Sequence, residues 1–370
     1  MLDTWLLKNK LKSLSDIANP EQLEPFEILP LYTKQSAKIL EIPYLPPKPY
    51  LYSGEEYAVA KDFSVRLHSS LKNACAVVYL QESLDIDLTT LKDVDFSILK
   101  TFLSASQWRE QYSRFTTDDK EPAFYIENAI DNVAKNTSRG FSAKQQVLMG
   151  CNKSQELAYV LFSFVKQIRN LDLSKVHFTF YNDSNFALDI AKVRAFRFLY
   201  LQILDYYKLP IVSPHIHVRV QPRIFTLNEE WMNVKRQGTA VFSALTANVQ
   251  SISVAPFDFR KPLQEIDSSR VSRNIINILK EESHLWYVYD PAKGSYLFET
   301  LTHDLAQSAW SILQKLLQGT YNGELEIKQV EQKRLQLFKD NKLDLIGTTV
   351  FQDKDFQKST DTHFIDGVLS

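Results

Sequence analysis

Eight short runs of β-branched and aromatic residues, separated by segments with helical periodicity, constrain the fold of this chain more than any other feature. They are ACAVVYL from Ala74, DFSILKTFL from Asp95, AFYIENA from Ala123, QQVLMGC from Gln145, KVHFTFYN from Lys175, HIHVRVQ from His215, SISVAPF from Ser251 and LWYVYD from Leu285. Strands that alternate with helices argue for an α/β fold with a parallel sheet, and eight such units are the count of a (β/α)8 TIM barrel. At 370 residues the chain has room for one barrel with extensions. Residues 1–45 read as an extended N-terminal arm, a short amphipathic helix between Trp5 and Leu14 followed by a proline-punctuated extended run. Residues 46–350 then hold the barrel, and residues 351–370 are a short polar C-terminal tail.

The most legible stretch is 251–310. Its first strand ends at a Pro and an Asp, and Asp267, Ser268 and Ser269 offer caps for a helix with Val271, Ile275, Ile278 and Leu279 on one face. Residues 286–289 read as a second short strand. The turn chemistry of Asp290, Pro291 and Gly294 closes it, and Leu301, Leu305, Ile312, Leu313 and Leu316 stripe the next helix.

With 43 basic and 44 acidic residues the chain has a net charge of -1, which favours neither nucleic acid nor an anionic membrane as a partner. Cys75 and Cys151 sit in or beside apolar runs and read as buried free thiols of a reducing, cytoplasmic compartment. The first residues lack the apolar core of a signal peptide, and no run is long enough to span a membrane.

Alternation divides the strands into faces. Val176, Phe178 and Phe180 oppose His177, Thr179 and Tyr181, and Ile216, Val218 and Val220 oppose His215, His217 and Arg219. If the apolar faces meet helices, the polar ones point into a barrel lumen. Bulky His, Tyr and Arg favour a hydrogen-bonded plug there, whereas the small Ser251, Ser253 and Ala255 argue for an open passage. A buried Arg219 demands a partner, and Asp258 at a strand end is the expected one. His215 and His217 form a candidate metal pair, but spacing places no third ligand, so no metal is expected. Glu281, Glu282 and His284 read as capping groups at a helix end rather than acid–base catalysts.

Several motifs in one order carry a family resemblance. The strand end at Asp258, the paired Arg270 and Arg273, the EES containing Glu282 and Ser283, the DPxxGS of Asp290, Pro291, Gly294 and Ser295, and the LTxxLAxxAW ending at Trp310 resemble the methylmalonyl-CoA mutase family. FALDIAKVRAFRFLY at 186–200, LIGTTVF at 345–351 and PLYT at 30–33 extend the likeness, which is closest to the small, non-catalytic subunit. These signature residues read as structural.

The resemblance implies a heterodimer with a large catalytic subunit that interconverts methylmalonyl-CoA and succinyl-CoA, with the arm either embracing that partner or folded on its own barrel. A lone chain could pair as a homodimer. The segment EEYAVAKDF at 55–63 does not reproduce the large subunit's WTIRQ-like motif, and QQVLMGCNKSQELAY at 145–159 lacks its Tyr-His pair. No catalytic or cofactor-binding residue is therefore assigned. The family's cobalamin domain, with its Asp-x-His-x-x-Gly motif, is not seen, so adenosylcobalamin is expected in the partner. The alternative is an acyl-CoA-binding barrel subunit of a split mutase.

Overall fold

Alternating runs such as VHFTFYN extend and pair because β-branched and aromatic side chains pack well on a pleated surface. The computed structural model describes residues 23–29, 32–42, 138–226, 230–258, 268–340 and 342–351, together with the backbone of four earlier strands. The strands are β1 (Tyr52–Tyr57), β2 (Val77–Leu80), β3 (Lys100–Phe102), β4 (Tyr125–Glu127), β5 (Ser138–Ser142), β6 (Val176–Asn182), β7 (His215–Val220) and β8 (Ser251–Val254). They form one sheet in the order β3-β2-β1-β8-β7-β6-β5-β4, and every hydrogen-bonded pair is parallel. The first strand lies beside the last. This is an α/β fold built on a parallel sheet.

The helices are α1 (Lys144–Leu148), α2 (Lys153–Val165), α3 (Phe186–Tyr206), α4 (Glu230–Thr246), α5 (Ser268–Asn277, prolonged by the π-helical turn Ile278–Glu282), α6 (Tyr296–Leu317) and α7 (Gly323–Lys339). None of the described helices is long and apolar enough to cross a membrane. Their starts are chemically marked. Asn152 and Gln155 form a reciprocal capping box at α2, Asn185 accepts the Leu188 N–H at α3, and Asn322 accepts the Leu325 N–H at α7.

The apolar sides of β6, β7 and β8 share one core with α2, α3 and α4. At its centre Phe178 meets Phe196 at 4.6 Å and Phe164 at 5.1 Å between ring centroids, and Tyr200 lies 5.5 Å from Phe178. Helix α6 packs across α2 and α3 and buries Leu301, Leu305, Ala309 and Leu313.

Two expected strands are not strands. QQVLMGC is mostly helix α1, which buries only Val147, and the ladder partner of β6 is instead the unpromising SRGFS of β5. An apolar run this short fits either period, so pattern alone could not decide it. Residues 284–290 form turns, with His284 at φ +52 and Asp290 at φ +45, and Tyr287 and Val288 are exposed. The Tyr287 N–H bonds back to the His284 carbonyl at 3.2 Å, closing a turn where a ladder bond would run. The two places in the sheet are filled by β5 and by β1, which lies within the Pro- and Tyr-rich stretch at 44–57. The proposed helix near Trp5 to Leu14, the cap at Asp267, Cys75 and all but the first residue of the tail fall outside the described residues.

Residues 23–29 and 32–42 of the arm pack on their own chain, with Phe26, Ile28, Tyr32 and Leu40 against the core. Beside them runs a groove of about 630 Å³ bounded by α6 and α7.

Tyr200 is fully buried, and among the described residues its hydroxyl has no hydrogen-bond partner. A buried unmet hydroxyl costs about 1–3 kcal/mol. Tyr200→Phe is therefore expected to raise the midpoint of chemical denaturation, by the equivalent of about 1 kcal/mol. A lowered midpoint would show that the hydroxyl is bonded.

Candidate functional site

The ladder registers bring the polar residues of β6, β7 and β8 together on the face opposite the helices. His177 pairs with His215, Thr179 with His217 and Tyr181 with Arg219, and His217 and Arg219 pair in turn with Ser251 and Ser253. His177, Thr179, His215, His217 and Ser251 are wholly buried, with Tyr181, Ser253 and Arg219 nearly so. His215 Nε2 lies 3.0 Å from Ser251 Oγ, His217 Nδ1 lies 2.8 Å from the same oxygen, and His217 Nε2 lies 3.0 Å from Ser253 Oγ. Two imidazoles and two hydroxyls thus form one chain.

Arg219 donates to the Tyr181 hydroxyl at 3.3 Å and stacks over its ring at 5.6 Å. Asp258, the partner expected from the sequence, is buried just beyond β8, and Tyr181 is one partner of Arg219. Gly140 and Ser142 of β5 stand in register with His177 and Thr179, and sequence reasoning missed both because it placed the strand later. A glycine and two serines in SRGFS give no alternation to read.

Burial, and then the Arg219 charge, hold His217 well below its ordinary value of 6.5. It is neutral near pH 7. No group of three or more His, Cys, Asp or Glu that could hold a metal occurs among the described residues. Cys151 is a free thiol, and burial pushes its pKa up, away from the reactive thiolate.

The signature residues occupy a different place. Arg194 of α3 donates from Nε to Asp290 Oδ1 at 2.9 Å and from one Nη to Glu299 at 2.8 Å, and its other Nη reaches Thr302 at 3.0 Å. Glu299 also accepts the Gly294 N–H at 2.8 Å, and the Asp290 N–H donates to Asn248 at 2.6 Å. The DPxxGS segment is therefore a clamped turn. Gly294 takes φ +82 within it, Pro291 is exposed, and Ser295 is the N-cap residue of α6. Arg273 is buried and Arg270 is exposed on α5. Glu282 and Ser283 are exposed around the π-helical turn, and Trp310 is partly exposed on α6.

A third cluster joins the first turns of α2 and α3 to the carboxyl end of β6. Lys153 Nζ bridges Asp183 at 2.9 Å and Asp189 at 2.5 Å, while Lys192 Nζ reaches Glu156 at 2.8 Å and the Tyr181 carbonyl at 2.6 Å. Burial pushes Asp189 up to about 7. Burial would also raise Asp183, but the Lys153 charge overcomes it and brings that carboxyl to about 2.

These three clusters lie within one stretch that matches a known family. A sequence model of methylmalonyl-CoA mutase matches residues 94–368. The chain belongs to the methylmalonyl-CoA mutase family. The methylmalonyl-CoA mutase small subunit of Porphyromonas gingivalis is 38% identical over 143 residues, 38% of this chain and 23% of that protein. The small subunit of Streptomyces virginiae is 31% identical over 177 residues, 45% of this chain and 29% of that protein. A methylmalonyl-CoA mutase of Rhizobium meliloti is 29% identical over 203 residues, 52% of this chain and 28% of that protein. The matched part is less than a third of the length of each relative.

Two outcomes follow from the geometry of this mutase-family chain. Arg194→Leu strands the Asp290 and Glu299 carboxylates and is expected to cost about 3–5 kcal/mol in denaturant unfolding. His217 is neutral when folded but free to protonate when unfolded, so its contribution to stability is present above about pH 6.5 and is lost as pH falls below it. His217→Gln is expected to flatten the fall of stability between pH 6.5 and 5 by up to about 1.4 kcal/mol per pH unit. An unchanged slope in matched denaturation series would show that His217 does not stay neutral.

Proposed function

We propose that this chain is the small, structural subunit of an adenosylcobalamin-dependent methylmalonyl-CoA mutase, whose large subunit performs the isomerisation. The observation that carries this reading is the filled polar face of β6–β8. We infer that the eight-stranded sheet closes as a (β/α)8 barrel: β1 pairs with β8, and both faces of β6–β8 are buried although helices cover only one. His177, Thr179, Tyr181, His215, His217, Arg219, Ser251 and Ser253 then face its lumen.

In such a barrel an acyl-CoA would have to thread between side chains that already bond to one another. The two serines, small enough to leave a passage, are instead taken up by His215 and His217. Retention of the clamped DPxxGS turn beside a blocked lumen fits a subunit kept for folding and pairing. The small-subunit names of the Porphyromonas and Streptomyces relatives support the same role. Adenosylcobalamin is assigned to the partner, and no step of catalysis is placed on residues of this chain.

Light scattering of the chain produced with and without a large mutase subunit from the same source tests the proposal. A one-to-one complex is expected, with isomerase activity only when the large subunit is present and no thermal shift of the lone chain by an acyl-CoA. Failure to associate, together with stabilisation of the lone chain by an acyl-CoA, would replace it with the reading of an acyl-CoA-binding barrel subunit of a split mutase.

A further inference from the structure

The first turn of α2 is completed by a residue from far outside it. Four N–H groups at a helix start lack helical partners. At α2 the capping box covers the Asn152 and Gln155 N–H groups. The other two, of Lys153 and Ser154, donate to the Glu24 carboxylate at 2.7 and 3.2 Å, and the Ser154 hydroxyl joins them at 2.6 Å. Asn152 in turn donates its side-chain N–H to the Leu23 carbonyl at 2.9 Å. Glu24 is only 6% exposed. A carboxylate at this place also meets the positive end of the helix dipole.

The segment that carries Glu24 has no helix or strand of its own among its described residues. Its far end is tied by a second polar contact, the Lys38 N–H to Thr300 Oγ1 at 3.1 Å and Lys38 Nζ to Asp304 at 2.6 Å, both on α6. Between the two ties, the Leu29 N–H donates to the Tyr32 hydroxyl at 3.0 Å, which couples the halves. Leu23, Phe26, Leu29 and Tyr32 form one wall of the groove over α6. Segments that make no backbone ladder with the rest of a fold belong to its low-stability end and open without global unfolding.

We propose that residues 23–29 and 32–40 are a latch that opens as a single unit, with the Glu24 carboxylate at the start of α2 as its lock. When the latch lifts, the groove loses that wall and the donors of the first turn of α2 become accessible at the same time. The bond from Leu29 to Tyr32 transmits the loss of either tie to the other.

Hydrogen exchange by mass spectrometry on the full chain tests this, with Glu24→Ala and Thr300→Val each compared with the unaltered protein. Glu24→Ala is expected to speed exchange about tenfold at 23–29 and 153–155, the size of a lost helix cap, and to speed it equally at 32–40. Thr300→Val is expected to accelerate the same three segments, with the amides of β6 and β7 unchanged in both variants. Acceleration confined to the half that was cut, or no acceleration in either variant, would overturn the latch. Acceleration that spreads to β6 and β7 would overturn it too, because the arm would then be part of the global fold.

Discussion

Strands β6, β7 and β8 of the parallel sheet are buried on both faces, which leaves no water for either set of side chains, and they carry polar groups on one of those faces. Everything around them answers that constraint. Alternation hands the apolar set to α2, α3 and α4, where a phenylalanine cluster fills the layer. The opposite set, deprived of solvent, must bond to itself, and the register supplies the means by setting His217 beside Ser251, whose hydroxyl also meets His215. Neutral histidine suits such a chain because each ring offers one donor and one acceptor.

Buried charge is used elsewhere as joinery. Lys153, Lys192 and Arg194 each leave a helix and bind carboxylates on other elements, so that α2, β6 and α3 meet at one ionic joint and α3, the 290 turn and α6 at another. Such pairs add little net stability relative to well-packed apolar groups, but a partner left alone is costly. Their effect is therefore geometric: each helix can dock in one position. Two of the motifs that carry the family likeness, the DPxxGS turn and the LTxxLAxxAW helix, meet at Arg194 in this way.

How much of this was legible depended on whether a residue acts locally. The strands at Val176, His215 and Ser251 declare themselves by alternation, and α6 by its stripe of leucines. The polar face could be named residue by residue because a period of two needs no knowledge of neighbours. Strand β5 was not legible: Gly140 and two serines have no strand propensity, and its pairing with β4 and β6 makes it one. The run at 285 looked like a strand because Trp, Tyr and Val favour strands, yet Asn248 and Arg194, both distant in sequence, hold it in turns. Glu24 could not be found at all from sequence, since its partners lie 129 residues on.

The polar face has one more consequence, which belongs to folding. In a sheet with period-two side chains, a slip of one residue sends every side chain to the other face. A strand that is apolar on both sides would tolerate such a slip. Were β7 to slip, His215, His217 and Arg219 would enter the layer of Phe178 and Phe180, and Ile216 and Val218 would displace the partners of Ser251 and Ser253. Both layers would fail at once. The histidine–serine chain thus works as a proofreading device for strand registry, whether or not anything ever binds beside it.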